Sequence, residues 1–491
     1  MRILYIDLDA LRPDHLGCYG YHRQTSPVID ALAAEGTRFT NCYTSDAPCL
    51  PSRTALYTGM FGIRSGVVGH GGTAADPFIE GRTRSFRDRI ELECLPARLQ
   101  DAGYHTAMIS PFGQRHAARQ FYAGFHEIHN GGKGGMESAE EVTPTVMKWL
   151  KEHSAEDHWF LHLNYWDVHT PYRVPASYGE PFADDPLPAW LTPEVWQAHL
   201  QMVGPHKAQE ISMMDDREDP AYPRQPGALR TQADLRRLFD GYDTAIRYAD
   251  DQIAQIVQQL KQAGVYEDTL IIISADHGEN MGELGIYAEH ATADHITCRV
   301  PLIVCGPGVR AGAVDEGLHY ALDLAPTLMD LIGAGDRSPS WDGQSYARAL
   351  TEGEPCDRDF LVLSQCAHVC QRSVRFGPWL YIRTYHDGYH LFPREMLFDV
   401  ETDPHEQHDL AETRPEICRE AAARLLDWHD AQMHRSTSNV DPLWTVMREG
   451  GPFHARGALA RYCEHLRKTG REWAIPELTR RHSASEGLAG S

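Results

Sequence analysis

No run of about 18 or more apolar residues occurs in the 491-residue chain, so no helix is expected to cross a bilayer. The opening segment, MRILYIDLDA, has one early Arg but neither a long apolar stretch nor a small-residue cleavage site. It resembles a buried strand more than a leader, and the expected compartment is the cytoplasm. Positive charge is scarce: 46 Lys and Arg face 69 Asp and Glu, a net charge of −23. So acidic a surface disfavours nucleic acid and anionic membranes as partners, and an anionic substrate would need a pocket with its own positive charge. Paired cysteine spacings are also lacking. The 11 cysteines are scattered, and Cys366 and Cys370 have no second pair to complete a zinc spacing. In a reducing compartment most are expected to be buried thiols. No internal repeat appears beyond one pentapeptide pattern described below.

What is present is an ordinary globular composition, 42% hydrophobic and 23% charged, long enough for about two to four domain-sized units. RILYIDL is a near-continuous apolar run, as in a central parallel strand. SPVIDALAAEG follows as a helix, with Ser26 before it, Pro27 at its first position and Gly36 as its stop. ELECLPARLQDAG is predicted to be a second helix, with Leu92, Leu95 and Leu99 on one face. YHTAMIS, WFLHLNY, TLIIIS and RVPLIVC are predicted strands, and a long amphipathic helix precedes TLIIIS. This alternation predicts an α/β fold whose mostly parallel sheet is sandwiched by helices, over residues 1–355. A Pro- and Asp-rich insertion interrupts it at about 175–230. Residues 356–491 are expected to form a smaller C-terminal α+β domain: an antiparallel sheet, the helix RPEICREAAARLLDWHDAQM and an unassigned tail after about Ser436.

The pattern Cys-x-Pro-x-Arg occurs twice, at Cys49 and at Cys94. The leucines around Cys94 explain it as a structural thiol within a packed helix. Cys49 follows an Asp-Ala-Pro turn and opens a segment of helical character that Gly59 would stop. A side chain there faces unpaired N–H groups and the positive end of a helix, a good place to handle an anion. The residues alone leave open a reactive site and a structural thiol.

CLPSRTALYTG, from Cys49 to Gly59, resembles the signature of the sulfatases, within the alkaline phosphatase superfamily. CLPAR lacks the Thr-Gly continuation, so the resemblance selects Cys49 over Cys94. Further segments are similar to the family in its own order: DALRPDHLGCYGYHRQTSPVIDALAAEGTRF, NYWDVHTPY, SADHGE, CRVPLIV, DLAPTLMDLIG and MLFDVETDPHEQHDL. The resemblance implies an alkaline-phosphatase-like fold and hydrolysis of a sulfate ester. It also implies that Cys49 is oxidised to Cα-formylglycine by a formylglycine-generating enzyme, the partner required for maturation. The hydrated aldehyde offers one hydroxyl to attack sulfur and another whose proton loss expels sulfate.

By the same resemblance, Asp9, Cys49, Asp276 and His277 would hold one divalent metal, Ca²⁺ in first place and Mn²⁺ or Mg²⁺ otherwise. A lone Asp at a strand end is more often a cap or turn residue; the Cys49 motif reverses that reading. Many sulfatases have two adjacent Asp residues at the first strand, whereas Ala10 follows Asp9 here. Asp7 could reach the same face, or the metal has one carboxylate fewer, as in the related phosphonate monoester hydrolases. His169 falls where the family places the acid for the leaving alcohol. The family's Gly-Lys-x-His element is missing, and Arg115 and His116 are its nearest replacements. His290 takes the place of a sulfate-binding Lys. Arg53 is expected to anchor the formylglycine, and His70 to point into the pocket. The substrate implied is small and sulfated, a sugar or oligosaccharide, and a homo-oligomer is compatible with the sequence. Two alternatives stay open: a phosphonate monoester or phosphodiester hydrolase, and a non-catalytic carbohydrate-binding relative with Cys49 unmodified.

Overall fold

The computed structural model describes residues 1–79, 89–335 and 341–489. Its strands, in chain order, are β1 (Arg2–Leu8), β2 (Thr37–Tyr43), β3 (Asp46–Ala47), β4 (His105–Ile109), β5 (Glu127–His129), β6 (Trp159–Tyr165) and β7 (Thr269–Ser274). They continue with β8 (Asn280–Met281), β9 (Tyr287–Glu289), β10 (Arg299–Cys305), β11 (Ala313–Tyr320), β12 (Leu361–Gln365), β13 (Cys370–Phe376), β14 (Trp379–His386) and β15 (Glu395–Asp399). Eight of these form the main sheet, in the order β11-β2-β10-β7-β1-β6-β4-β5. The centre is parallel: Tyr5 of β1 lies beside His162 of β6 and Ile272 of β7. Every residue of β1, β6 and β7 is buried, which requires cover on both faces. One helix group, Pro27–Glu35, Ala139–His153 and Gln232–Gln262, packs together; a second comprises Cys49–Thr58, Leu95–Asp101 and Leu324–Leu331. This is the expected α/β class, with β10 running antiparallel to β7 and β2. No helix among the described residues is long and apolar enough to cross a membrane.

The smaller sheet has the order β15-β14-β13-β12-β3. Its four C-terminal strands form the expected antiparallel sheet, and the Pro415–Arg435 helix packs on them. The fifth, β3, comes from the N-terminal part of the chain, just before Cys49, and pairs parallel with β12. The tail left unassigned by the sequence forms helices at Pro442–Arg448, Leu459–Lys468 and Ile475–Ala489.

One predicted helix is corrected. The segment around Cys94 is two helices, Arg89–Glu93 and Leu95–Asp101, with Cys94 extended between them at φ −67°, ψ 155°. Pro96 accounts for the break, because in a continuous helix it would remove one backbone hydrogen bond and clash with the preceding turn. Leu95 and Leu99 are buried, whereas Leu92 is exposed and does not share their face.

The Cys49–Thr58 helix ends at Gly59, whose φ is +61°. A Cβ there would lie 2.5 Å from the Trp341 ring, which is itself buried and donates its indole N–H to the Glu93 carbonyl. Gly59→Ala therefore combines a left-handed backbone penalty of about 1–2 kcal/mol with overpacking of about 1–3 kcal/mol. A clearly lower denaturation midpoint is expected; an unchanged one would show that the Trp341 ring gives way freely.

Candidate active site

Three adjacent parallel strands deliver side chains to one edge of the sheet. Asp9 leaves β1 with its N–H donated to the Tyr165 carbonyl at the end of β6, 2.9 Å away. Asp276 and His277 follow β7, and His169 follows β6. The carboxyl ends of parallel strands are where open α/β sheets bind ligands. The Cys49–Thr58 helix starts at this edge, and every one of its residues is buried. Ser52 fixes that start: its hydroxyl donates to the Asp276 carbonyl at 2.6 Å and accepts from Thr44 Oγ1 at 2.8 Å.

Arg53, one turn along this helix, meets three buried carboxylates. Its guanidinium donates to Asp7 Oδ2 at 3.0 Å, to Asp9 Oδ2 at 2.9 Å and to Asp276 Oδ2. Its flat face lies 3.4 Å from the Phe112 ring centre, with Trp166 beyond. Arg53 was expected to anchor the formylglycine; in this structure its hydrogen bonds go to the carboxylates, with the Cys49 side chain close enough to interact electrostatically. Asp7 shares their face but lies behind Arg53, so of the two first-strand carboxylates it is Asp9 that joins the ligand group.

That group is Asp9, Cys49, Asp276 and His277, whose donor atoms all lie within 4.8 Å of one another. His277 Nδ1 donates to its neighbouring Gly278 carbonyl at 2.8 Å, which turns the Nε2 lone pair towards Cys49 Sγ at 3.1 Å and Asp276 Oδ2 at 3.3 Å. Anchoring one ring nitrogen on a carbonyl while the other faces outward is how ligating histidines are held. The fit to a divalent cation is electrostatic as well. Three carboxylates confront one guanidinium, and Asp9 Oδ1 is buried without a hydrogen-bond partner. Burial, with the charges of Asp9 and Asp7, holds the Asp276 carboxyl well above its ordinary range. Burial acts on Asp9 in the same sense, but Arg53, His169 and His277 draw it below. The Cys49 thiol is pushed up to about 12 by burial and by Asp9 and Asp276, so an unmodified thiol here is a poor nucleophile at neutral pH.

Histidines close the other side. His169 Nδ1 donates to the Thr170 carbonyl at 2.5 Å, leaving Nε2 4.0 Å from Asp9 Oδ1. Burial drives His169 down to about 3. His290 stacks 3.9 Å from His277 and places Nε2 2.9 Å from Glu289 Oε1. Burial opposes its charge, yet Glu289, with hydrogen bonds to Cys49, Glu279 and Glu289, raises it well above the ordinary range. Arg115 stacks over Trp166 at 4.3 Å, on the ring Arg53 also approaches. His116 is half-buried, with its Nε2 enclosed and unpartnered and its ring 5.5 Å from that of His70. His70 itself is hydrogen-bonded to His454 at 3.0 Å. Cys94 belongs to none of the possible ligand groups among the described residues; its Sγ lies near the Glu91 and Ala123 carbonyls.

Several participants went unnoticed in the sequence. Glu279 stands in the same Asp-His-Gly-Glu run as Asp276, and Glu289 precedes His290, so adjacency was a usable signal for both. Trp166 and Phe112 gave none, because their role depends on where Arg53 arrives.

Comparison with known proteins gives the family. The sulfatase family model matches residues 2–334. The chain belongs to the sulfatase family. It is 26% identical over 431 residues to a choline-sulfatase of Rhizobium meliloti, covering 79% of this chain and 78% of that one. It is 23% identical to a multifunctional alkaline phosphatase superfamily protein, PehA, of Trinickia caryophylli, over 84% of this chain and 91% of the other. Among solved structures, the phosphonate monoester hydrolase of Agrobacterium radiobacter superposes with a TM-score of 0.67 at 22% identity, covering 88% of this chain and 96% of that one. A 2-O glycosaminoglycan sulfatase superposes at 0.66 and 21% identity, covering 89% and 94%. Sulfatases generally use a formylglycine and a divalent metal, and the described residues of this chain include a group that could hold such an ion.

Removing Asp276 removes one donor and half of the carboxylate pair that flanks His277. Asp276→Ala is expected to hold one equivalent of divalent cation fewer than the unaltered chain, read by elemental analysis of both. Equal cation content in the two would remove Asp276 from the ligand set.

Proposed function

We propose that this sulfatase-family chain hydrolyses a sulfate monoester of a small sulfated sugar or oligosaccharide. The observation that carries the reading is the placement of Cys49, at a helix start and 3.1 Å from His277, beside Asp9 and Asp276. Formylglycine formed from Cys49 would supply, as its hydrate, the nucleophile that a thiol at this position cannot. Asp9, Asp276 and His277, with the modified residue, would hold one divalent cation, which supplies positive charge for the sulfate oxygens. An oxygen-rich set favours Ca²⁺, and the single nitrogen of His277 keeps Mn²⁺ and Mg²⁺ as competitors. Arg53 fixes the three carboxylates. His290, between Glu289 and Glu279 and in ring contact with His277 and His169, would serve as a sulfate ligand. His169 presents Nε2 on the side of Asp9, where a proton can pass to the leaving oxygen once the sulfate ester's own charge offsets the cost of burial. Arg115 and His116 line the Trp166 side.

A second reading, hydrolysis of a phosphonate monoester or phosphodiester, is favoured by one feature: of the two first-strand carboxylates, Asp9 belongs to the possible ligand group and Asp7 does not, which leaves a single first-strand carboxylate for the metal. Comparing rates on an aryl sulfate, an aryl phosphonate and a phosphodiester, with modified protein, decides between them. Dominant turnover of either phosphorus substrate would overturn the sulfatase assignment.

Peptide mass analysis of protein co-produced with a formylglycine-generating enzyme is expected to show a loss of about 18 Da on the Cys49 peptide. A loss on the Cys94 peptide, or on neither, contradicts the proposal.

His169→Ala is expected to slow an alkyl or sugar sulfate about 10²–10⁴-fold, and an activated aryl sulfate much less, since a good leaving group needs little protonation. Equal losses on both would reassign His169 to binding.

A further inference from the structure

Beside the reaction pocket, three segments far apart in the chain bring together His206, Glu289 and His368. His206 belongs to the insertion, Glu289 ends β9, and His368 sits in the turn between β12 and β13. All three are buried, and their donor atoms lie within 4.8 Å of one another. His206 Nε2 is 3.1 Å from Glu289 Oε2, and His368 Nε2 is 3.7 Å from Glu289 Oε1.

The orientation of His206 is the informative detail. Its Nδ1 donates to the Ile211 carbonyl at 3.0 Å, so in the neutral ring Nε2 carries a lone pair. That lone pair faces a carboxylate oxygen at close range and makes no hydrogen bond, although the residue is only 5% exposed. Two acceptors pressed together in a buried place repel each other unless a cation lies between them. Ligands bound at about 2.0–2.2 Å in a tetrahedral site stand roughly 3.3–3.5 Å apart, close to the separations seen here. The outward lone pair with the other nitrogen on a carbonyl repeats the arrangement of His277. The backbone holds His206 in place despite a φ of +59°: its N–H donates to the Met213 carbonyl and its own carbonyl accepts from Tyr287.

We propose that His206, Glu289 and His368 form a second metal site, distinct from the Asp9–Asp276 centre, that takes Zn²⁺ or a similar borderline divalent cation. Two imidazoles and one carboxylate are a donor set for such ions rather than for Ca²⁺. Three protein ligands leave a coordination position for water or a substrate hydroxyl. The same Glu289 carboxylate lies 2.9 Å from His290, so the ion would tie the insertion and the β12–β13 turn to the wall of the sulfate pocket. The proposal does not depend on the substrate assigned above.

The test is a Zn²⁺ count on full-length, chelator-stripped protein, by calorimetric titration and by elemental analysis after gel filtration. His206→Ala, checked for native circular dichroism, is expected to bind one Zn²⁺ per chain fewer than the unaltered protein. His368→Ala is expected to do the same. Asp276→Ala should still take up one Zn²⁺ that is lost when His206→Ala is added. Equal stoichiometry in His206→Ala and the unaltered protein would overturn the site and leave a proton as the only cation between His206 and Glu289.

Discussion

The arrangement rests on one buried guanidinium. Arg53 must face Asp7, Asp9 and Asp276 at once, and these come from the ends of two neighbouring strands. Buried charges are tolerated only when paired and hydrogen-bonded, and breaking such a pair costs about 3–5 kcal/mol. The strand ends, the helix start and the aromatic platform of Phe112 and Trp166 are therefore fixed relative to one another. With Arg53 in place, two carboxylate oxygens and the His277 nitrogen can face the side chain of Cys49 without reorganising. One guanidinium among three carboxylates also leaves negative charge that a divalent cation can balance.

How much of this could be read beforehand follows from the range of each signal. The strands β1, β6 and β7 were legible because buried parallel strands are continuous apolar runs, and their polar ends marked Asp9 and Asp276. The helix start at Cys49 was legible from local punctuation, a turn before it and a glycine after it, whereas its choice as a reactive residue came from the resemblance of CLPSRTALYTG to the sulfatase signature. Local signals also misled. The leucine spacing around Cys94 outweighed Pro96, which splits the helix. The histidine side of the site was only half legible, because His290 is held by Glu289 and Glu279, and His206, His368 and His454 arrive from segments that meet only in the folded chain. Arg53 illustrates the limit: its presence in the motif was plain, while its partners were set by a sheet register that no short stretch encodes.

The smaller sheet takes part in the site. Its edge strand β3 is drawn from the segment that leads into Cys49, so the approach to the helix start is hydrogen-bonded to β12. Gln365, at the end of β12, donates to the His290 carbonyl at 2.8 Å, and His368 follows in the next turn. The wall opposite the parallel strands is thus contributed by residues that pattern alone assigns to a separate region.

This pairing sets a clock on Cys49. In the folded chain the residue is 1% exposed, and every residue of its helix is buried, so this stretch of chain cannot enter another enzyme's cleft without unfolding. Any catalyst that alters the thiol must act while the segment is still extended. The strand that locks β3 is synthesised roughly 300 residues later, about 15–60 s at a ribosomal pace of about 5–20 residues per second. The fold thereby converts the order of the chain into a deadline, and slower synthesis through the insertion and the strands that follow would lengthen the interval in which the thiol can be converted.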